Sequence, residues 1–242
     1  MNDKTNLIIS CMDYRIQDAI DDAIDGNDEK FVIMRNAGAN VKELRNSIVG
    51  MIKQGGVKRI KLMPHSDCAA MKIVYSALKE NKHYDAVIYE SLVEQFNGKN
   101  FNSLKELEII NRAMQYDNIK NLLDENNVGK SIEVESIFVN TEKLRYYQRN
   151  GSFVLSFPVS AKYSDLFNKI GKIRGSYFLH SLDIDDLAAD MIIANKLVGL
   201  KKLFLLYANE EEKETLNEHI ESMKKGNILV SDIAVEMLQK GL

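Results

Sequence analysis

Five side chains carry most of the chemistry available to this 242-residue chain: Cys11, Asp13, Arg15, His65 and Cys68. Cys11, Asp13 and Arg15 fall at alternate positions just after the apolar run Leu7-Ile8-Ile9. His65 and Cys68 form a His-x-x-Cys step after a second apolar stretch, Val57 to Met63. Cys11 and Cys68 are the only two cysteines of the chain. Two thiolates and an imidazole suit zinc. Three protein ligands leave the fourth position of a catalytic zinc site open. On an extended segment Asp13 points to the same side as Cys11. It has two roles open to it: orienting a metal-bound water, or binding the metal as a fourth ligand and closing the site. A bidentate pair with Arg15 would hold the Asp13 carboxylate ionised and off the metal. Each feature also has a plainer reading. A cysteine after a strand packs as a small hydrophobe, and an Asp-x-Arg is commonly a surface ion pair.

For these groups to meet, two strand ends must be neighbours. Leu7 to Cys11 reads as a buried parallel strand. Ile16 to Ile24 has helical spacing and is closed by Gly26 and Asn27. Phe31 to Met34 is a second strand, running into the turn Arg35-Asn36-Ala37-Gly38-Ala39-Asn40. Val41 to Gln54 is an amphipathic helix ended by Gly55-Gly56, Val57 to Met63 a third strand, and Ala69 to Lys79 a helix starting beside Cys68. The run Ala86-Val87-Ile88-Tyr89 fits strand or helix equally. Leu104 to Asn126 is helical, and Ile132 to Val139 is β-branched and strand-like. Strands alternating with long crossovers predict an α/β fold with a mainly parallel sheet flanked by helices. In such sheets ligands bind outside the carboxyl ends of the strands, where these residues fall.

Composition narrows the function classes. Hydrophobic residues make up 45% and charged residues 28%, as in ordinary globular proteins. The net charge is −3 and no basic stripe occurs, so nucleic acid is not an expected partner. No run of 18 apolar residues exists, so no membrane span is expected. The polar start and two cysteines fit a cytoplasmic setting without a disulfide framework. His83, His180 and His219 are candidate proton shuttles or ordinary core and surface residues. The Arg35 to Gly38 turn either lines the pocket or only connects strand to helix. Glu210-Glu211-Glu212 reads as a solvated helix start, and Tyr146-Tyr147 as packing near a junction. Gly55-Gly56 and Gly171-Lys172 lack the surroundings of a nucleotide loop.

The order of the first half recurs in the second. Phe153 to Ser156 matches Leu7 to Ser10, Tyr177-Phe178-Leu179 matches Phe31-Val32-Ile33, and Leu200 to Leu203 matches Val57 to Ile60. Asn227 to Val230 followed by Val235-Glu236 matches Asp85 to Ile88 followed by Val93-Glu94. The polar groups do not recur: Phe157, Val159 and Ala161 stand for Cys11, Asp13 and Arg15, and Ala208 and Glu211 for His65 and Cys68. The expectation is a zinc domain over 1–150 and a degenerate, truncated repeat without metal ligands over 151–242.

Cys11-x-Asp13-x-Arg15, Arg35-Asn36-Ala37-Gly38 and His65-Ser66-Asp67-Cys68 together resemble the motif set of the β-class carbonic anhydrases, in the same order and with the same gap of 54 residues between Cys11 and His65. The resemblance continues through Glu108 to Asn111 and Ile132 to Leu144. It implies zinc on Cys11, His65 and Cys68, and Asp13–Arg15 as catalytic dyad. The implied reaction is reversible hydration of carbon dioxide to bicarbonate by zinc-bound hydroxide. It also implies dimers with sites near the interface. Pro64 and Ala69 replace the family's usual glycines, and their added carbons are expected to narrow the pocket. Only ten residues precede Cys11, where the family carries an arm that wraps the partner. Residues 151–242 are therefore expected to act as a fused partner, making an internal pseudo-dimer open to further homo-oligomerisation. Two alternatives keep the fold: hydrolysis of carbonyl sulfide or carbon disulfide, or a catalytically silent zinc-binding or regulatory protein.

Overall fold

The computed structural model describes residues 5–24, 30–54, 56–129, 131–144, 148–229 and 233–240. The first half runs β1 (Thr5–Cys11), α1 (Gln17–Ala23), β2 (Phe31–Asn36), α2 (Arg45–Lys53), β3 (Val57–Met63), α3 (Ala69–Lys79), α4 (Ala86–Ile88), α5 (Leu104–Glu125) and β4 (Glu133–Ser136). The second runs β5 (Ser152–Ser156), α6 (Tyr163–Lys169), β6 (Tyr177–His180), α7 (Ala188–Ile193), β7 (Lys202–Tyr207), α8 (Glu210–Lys225) and β8 (Ala234–Gln239). All eight strands form one sheet in the order β4-β3-β1-β2-β6-β5-β7-β8. Every neighbouring pair is parallel except β2 with β6.

The apolar runs form strands because both faces are covered. Leu7, Ile8 and Ile9 on β1 and Phe153, Val154 and Leu155 on β5 are buried, which only a strand sheltered on both sides requires. β1 lies between β2 and β3, so the carboxyl ends of the three strands open side by side. The expected helix over 16–24 is a tight turn, Tyr14–Ile16, leading into α1. Residues 41–44 form turns before α2 instead of its first helical turn. The ambiguous run 86–89 is helical, and helical turns continue to Phe96. Ile88, Leu92, Val93 and Phe96 are buried on that segment, at helical spacing. The residues expected to close α1, Gly26 and Asn27, lie outside the described residues, as do Gly55 and the tyrosine pair 146–147.

The two halves share one strand order, and their registers correspond. Ser10 lies opposite Arg35 on β2, and Ser156 lies opposite His180 on β6. Arg35 and His180 then pair with each other across the antiparallel junction. Beside them Ile33 N donates to Val159 O at 2.8 Å, and Phe178 N donates to Met12 O at 3.0 Å. This register makes Tyr177 the counterpart of Val32, one residue away from the alignment read in sequence. A larger correction concerns the chain's end. Residues 86–96 are helical, whereas 234–239 form β8, which lies on β7 as β4 lies on β3. The counterpart of β8 is thus β4. The segment without a counterpart is the excursion through α4 and α5. Short apolar runs carry no periodicity that separates the two alignments.

Candidate metal centre

Cys11 ends β1, His65 follows β3, and Cys68 sits at the residue that starts α3. Their ligand atoms all lie within 4.8 Å of one another, and all three residues are buried. The two sulfurs are 3.9 Å apart. His65 Nδ1 lies 2.8 Å from Ser66 O, the place of an N–H donor. That bond leaves the lone pair on Nε2, and Nε2 is buried without a partner. An imidazole held by one nitrogen with the other facing two thiols is the arrangement of a metal ligand.

The protonation pattern agrees. Burial pushes the Cys11 thiol up, but the hydrogen bond to Cys68 and the His65 imidazole bring it well below the usual thiol range. Cys68 is pushed well above it by the Cys11 sulfur and by burial. Burial opposes charge on His65, yet the neighbouring Cys11 sulfur draws its pKa upward. The neighbouring groups thus stabilise negative charge on the Cys11 sulfur. Cys11 Sγ also accepts from Gly38 N at 3.3 Å, a bond that steadies a thiolate.

Asp13 is buried beside these ligands, with Oδ2 3.9 Å from His65 Nε2. Arg15 holds it in a fork: Nε donates to Oδ1 at 3.0 Å and Nη2 to Oδ2 at 2.8 Å. Burial raises the Asp13 pKa, but the Arg15 hydrogen bonds outweigh it and keep the carboxyl below its usual range. Arg15 is itself oriented by Asp67, through Oδ2 at 2.7 Å and the backbone carbonyl at 2.8 Å. Asp67 adopts the left-handed region at φ 55° to present both oxygens. All five residues singled out in sequence are therefore brought to one place.

Sequence reasoning left several supporting groups without a role. Arg35, fully buried, donates from Nε to Cys11 O at 2.8 Å and from Nη2 to Asp13 O at 2.7 Å. Its guanidinium lies 5.1 Å from the Tyr163 ring centre and 5.6 Å from that of Phe178. Glu108 Oε1 accepts from Cys68 N at 3.0 Å, and Asn111 Nδ2 donates to Gly38 O at 3.0 Å. Arg35, Glu108 and Asn111 stood inside the quoted motifs, and spacing alone gave no partner for any of them. The turn after β2 thus does more than connect.

Other candidates lie elsewhere. His83 is exposed, His219 faces Asp185 at 3.1 Å, and His180 is buried between Ser156 Oγ at 2.7 Å and Tyr163 OH at 3.2 Å. Burial holds His180 well below its usual pKa, so it stays neutral. Ala69 follows Cys68 as the first residue of α3 and lines a cavity with Lys72, Ile73, Tyr75 and Tyr84. Glu210, Glu211 and Glu212 occupy the first turn of α8, as their charge requires. No helix among the described residues is long and apolar enough to cross a membrane.

Comparison with known proteins gives one family. No curated protein matches the chain. Among solved structures, a tetrameric β-carbonic anhydrase of Sordaria macrospora is 16% identical, covering 60% of this chain and 81% of that one with a TM-score of 0.44. The β-carbonic anhydrase CafA of Aspergillus fumigatus is 14% identical, with coverage of 61% and 76% and a TM-score of 0.45. A carbon disulfide hydrolase is 17% identical, with coverage of 60% and 78% and a TM-score of 0.37. The family model described as carbonic anhydrase matches residues 6–143, from the start of β1 past the end of β4. That match takes in every residue of the metal centre and more than half of the chain, and the protein belongs to the β-class carbonic anhydrase family.

Proposed function

We propose that Cys11, His65 and Cys68 hold one zinc ion and that the protein catalyses the reversible hydration of carbon dioxide to bicarbonate. The observation that carries this reading is the buried Cys-His-Cys cluster, with His65 Nε2 left unpartnered beside a carboxylate that Arg15 holds back. The donors fit the ion in type and number. A zinc ion held there would lower the pKa of a water toward about 7 and so supply a nucleophile at neutral pH. Asp13, kept ionised by Arg15, would accept a hydrogen bond from a water held there and orient it toward the substrate. Arg15 keeps Asp13 out of the fourth ligand position, and Asp67 keeps Arg15 in place. Two thiolate donors would make a bound zinc a weaker Lewis acid than neutral ligands would, which gives Asp13 more of the work of orienting and deprotonating a water there.

The same reading assigns 1–150 as the zinc domain and 151–242 as its truncated repeat, a fused partner within a pseudo-dimer that can assemble further. The pairing of the equivalent residues Arg35 and His180 at the antiparallel junction supports it, because a two-fold contact pairs each patch with its own copy. Phe157, Val159 and Ala161 offer no metal ligand, so one zinc per chain is expected.

Zinc content and stopped-flow hydration, measured on the wild type, Cys11→Ala and Asp13→Asn, test the proposal. We expect one zinc per wild-type chain with hydration activity, loss of zinc in Cys11→Ala, and zinc kept with activity down at least about tenfold in Asp13→Asn. One zinc and no hydration from neutral to alkaline pH would mean a catalytically silent zinc protein. Faster turnover of carbonyl sulfide or carbon disulfide, offered in parallel, would reassign the substrate.

A further inference from the structure

Two consecutive residues in the turn after β2 have left-handed backbone, Gly38 at φ 72° and Ala39 at φ 57°. For alanine that conformation is unfavourable and persists only where neighbours over-determine it. The turn matters because Gly38 N donates to the Cys11 sulfur. Its carbonyl side is held by Asn111 on α5, itself fixed by Gln115 Nε2 at 3.0 Å from Asn111 Oδ1. Its far end is closed by Asn36, whose side chain bonds Asn40 N at 2.8 Å and Asn40 O at 2.9 Å. The remaining anchor comes from the other half of the chain. Ala37 N donates at 2.8 Å to Oδ1 of Asp190, on α7.

Asp190 is fully buried, and its second oxygen has no hydrogen-bond partner. A buried carboxyl with one bond is an expensive way to fill space, so its geometry asks for a reason. Resting on the reading that Cys11, His65 and Cys68 bind zinc, we propose that Asp190 is a positioning residue for the metal centre. It fixes the Ala37–Gly38 peptide so that the Gly38 N–H stays aimed at the Cys11 thiolate. A residue of the metal-free half thereby sets the donor strength of a ligand in the other half. Glu43 and Asp186 face Asp190 from the turn before α2 and from the segment before α7, and the Cys11 sulfur faces it from β1. Burial and these negative neighbours push its pKa well above the usual carboxylate range. The anchoring oxygen therefore works as a neutral acceptor, and asparagine reproduces it.

The test compares Asp190→Asn, which keeps the acceptor, with Asp190→Ala and Asp190→Leu, which remove it with and without a loss of volume. Ile193→Ala, a buried change on the same helix, is the control for plain destabilisation. Zinc release from the holoprotein to excess 4-(2-pyridylazo)resorcinol is timed, and the thiolate-to-metal charge-transfer band of the cobalt(II) form is recorded. We expect Asp190→Ala and Asp190→Leu, whichever folds, to release zinc at least about tenfold faster and to shift the band. Asp190→Asn should match the wild type in both, and Ile193→Ala should lower Tm without moving the band. Wild-type release rates and an unshifted band in the acceptor-less variants would overturn the proposal, as would an Asp190→Asn variant that behaves like Asp190→Ala. A wild type that holds no zinc would instead overturn the metal reading beneath it.

Discussion

Asp13 has two possible uses for its carboxylate, and Arg15 selects between them. Both guanidinium bonds of the fork land on Asp13, and Asp67 takes up Nη1 of the same side chain. Without that clamp the carboxylate is a negative oxygen 3.9 Å from His65 Nε2, and a cation held there would draw it in. Arg15→Ala is therefore expected to keep its zinc while hydration falls by about tenfold to a hundredfold. Metal analysis beside stopped-flow assays checks this, and loss of zinc together with activity would contradict it. The Asp-x-Arg pair was readable in sequence from its residue types, but a tight turn and not an extended segment brings the two together: Asp13 caps Tyr14–Ile16 and accepts from Arg15 N at 2.9 Å. The contribution of Asp67 was not readable, because it depends on a positive φ at Asp67 and on a contact with Arg15, 52 positions away.

Among the elements, the turn Ala37–Ala39 is the least replaceable. A Cβ built on Gly38 would lie 3.3 Å from Met71 Cε and 3.4 Å from Ala70 Cβ, at a φ of 72° that side chains resist. Gly38→Ala is expected to lose about 1–2 kcal/mol from the backbone alone. A urea midpoint equal to that of the wild type would show that the turn relaxes freely. The glycine was visible in sequence as a point of close approach. Its hydrogen bond to Cys11 was not, since that needs β1 and β2 to be neighbours, with Cys11 opposite Asn36. The run 86–89 shows the same division: its apolar content was plain, and only packing beside α3 and α7 decided for helix.

At the scale of the whole molecule, the junction joins what sequence comparison had only set side by side. β2 and β6 make one sheet of two four-stranded sets, α1 packs on α6 and α4 on α7, and one apolar core runs through both. Arg35 connects the halves chemically as well, with its donors on Cys11 and Asp13 and its face on Tyr163 and Phe178. A shared sheet and core predict one cooperative unfolding transition. Scanning calorimetry is expected to give a single peak whose calorimetric and van't Hoff enthalpies agree, and two separate peaks would show that the halves are independent.

The sequence by itself indicated the strands of the first half, the five residues proposed for the metal centre and the family they point to. Residue type and spacing carry that information directly, since a ligand is defined by its donor atom and a strand by its run of apolar side chains. Only the tertiary structure decided which groups hold those residues in place. Arg35, Asp67, Glu108, Asn111 and Asp190 act through contacts with residues distant in the chain, Asp190 across 153 positions to Ala37. Contacts of that range leave no periodic trace, because they arise from the order in which strands assemble and not from any local preference of the chain.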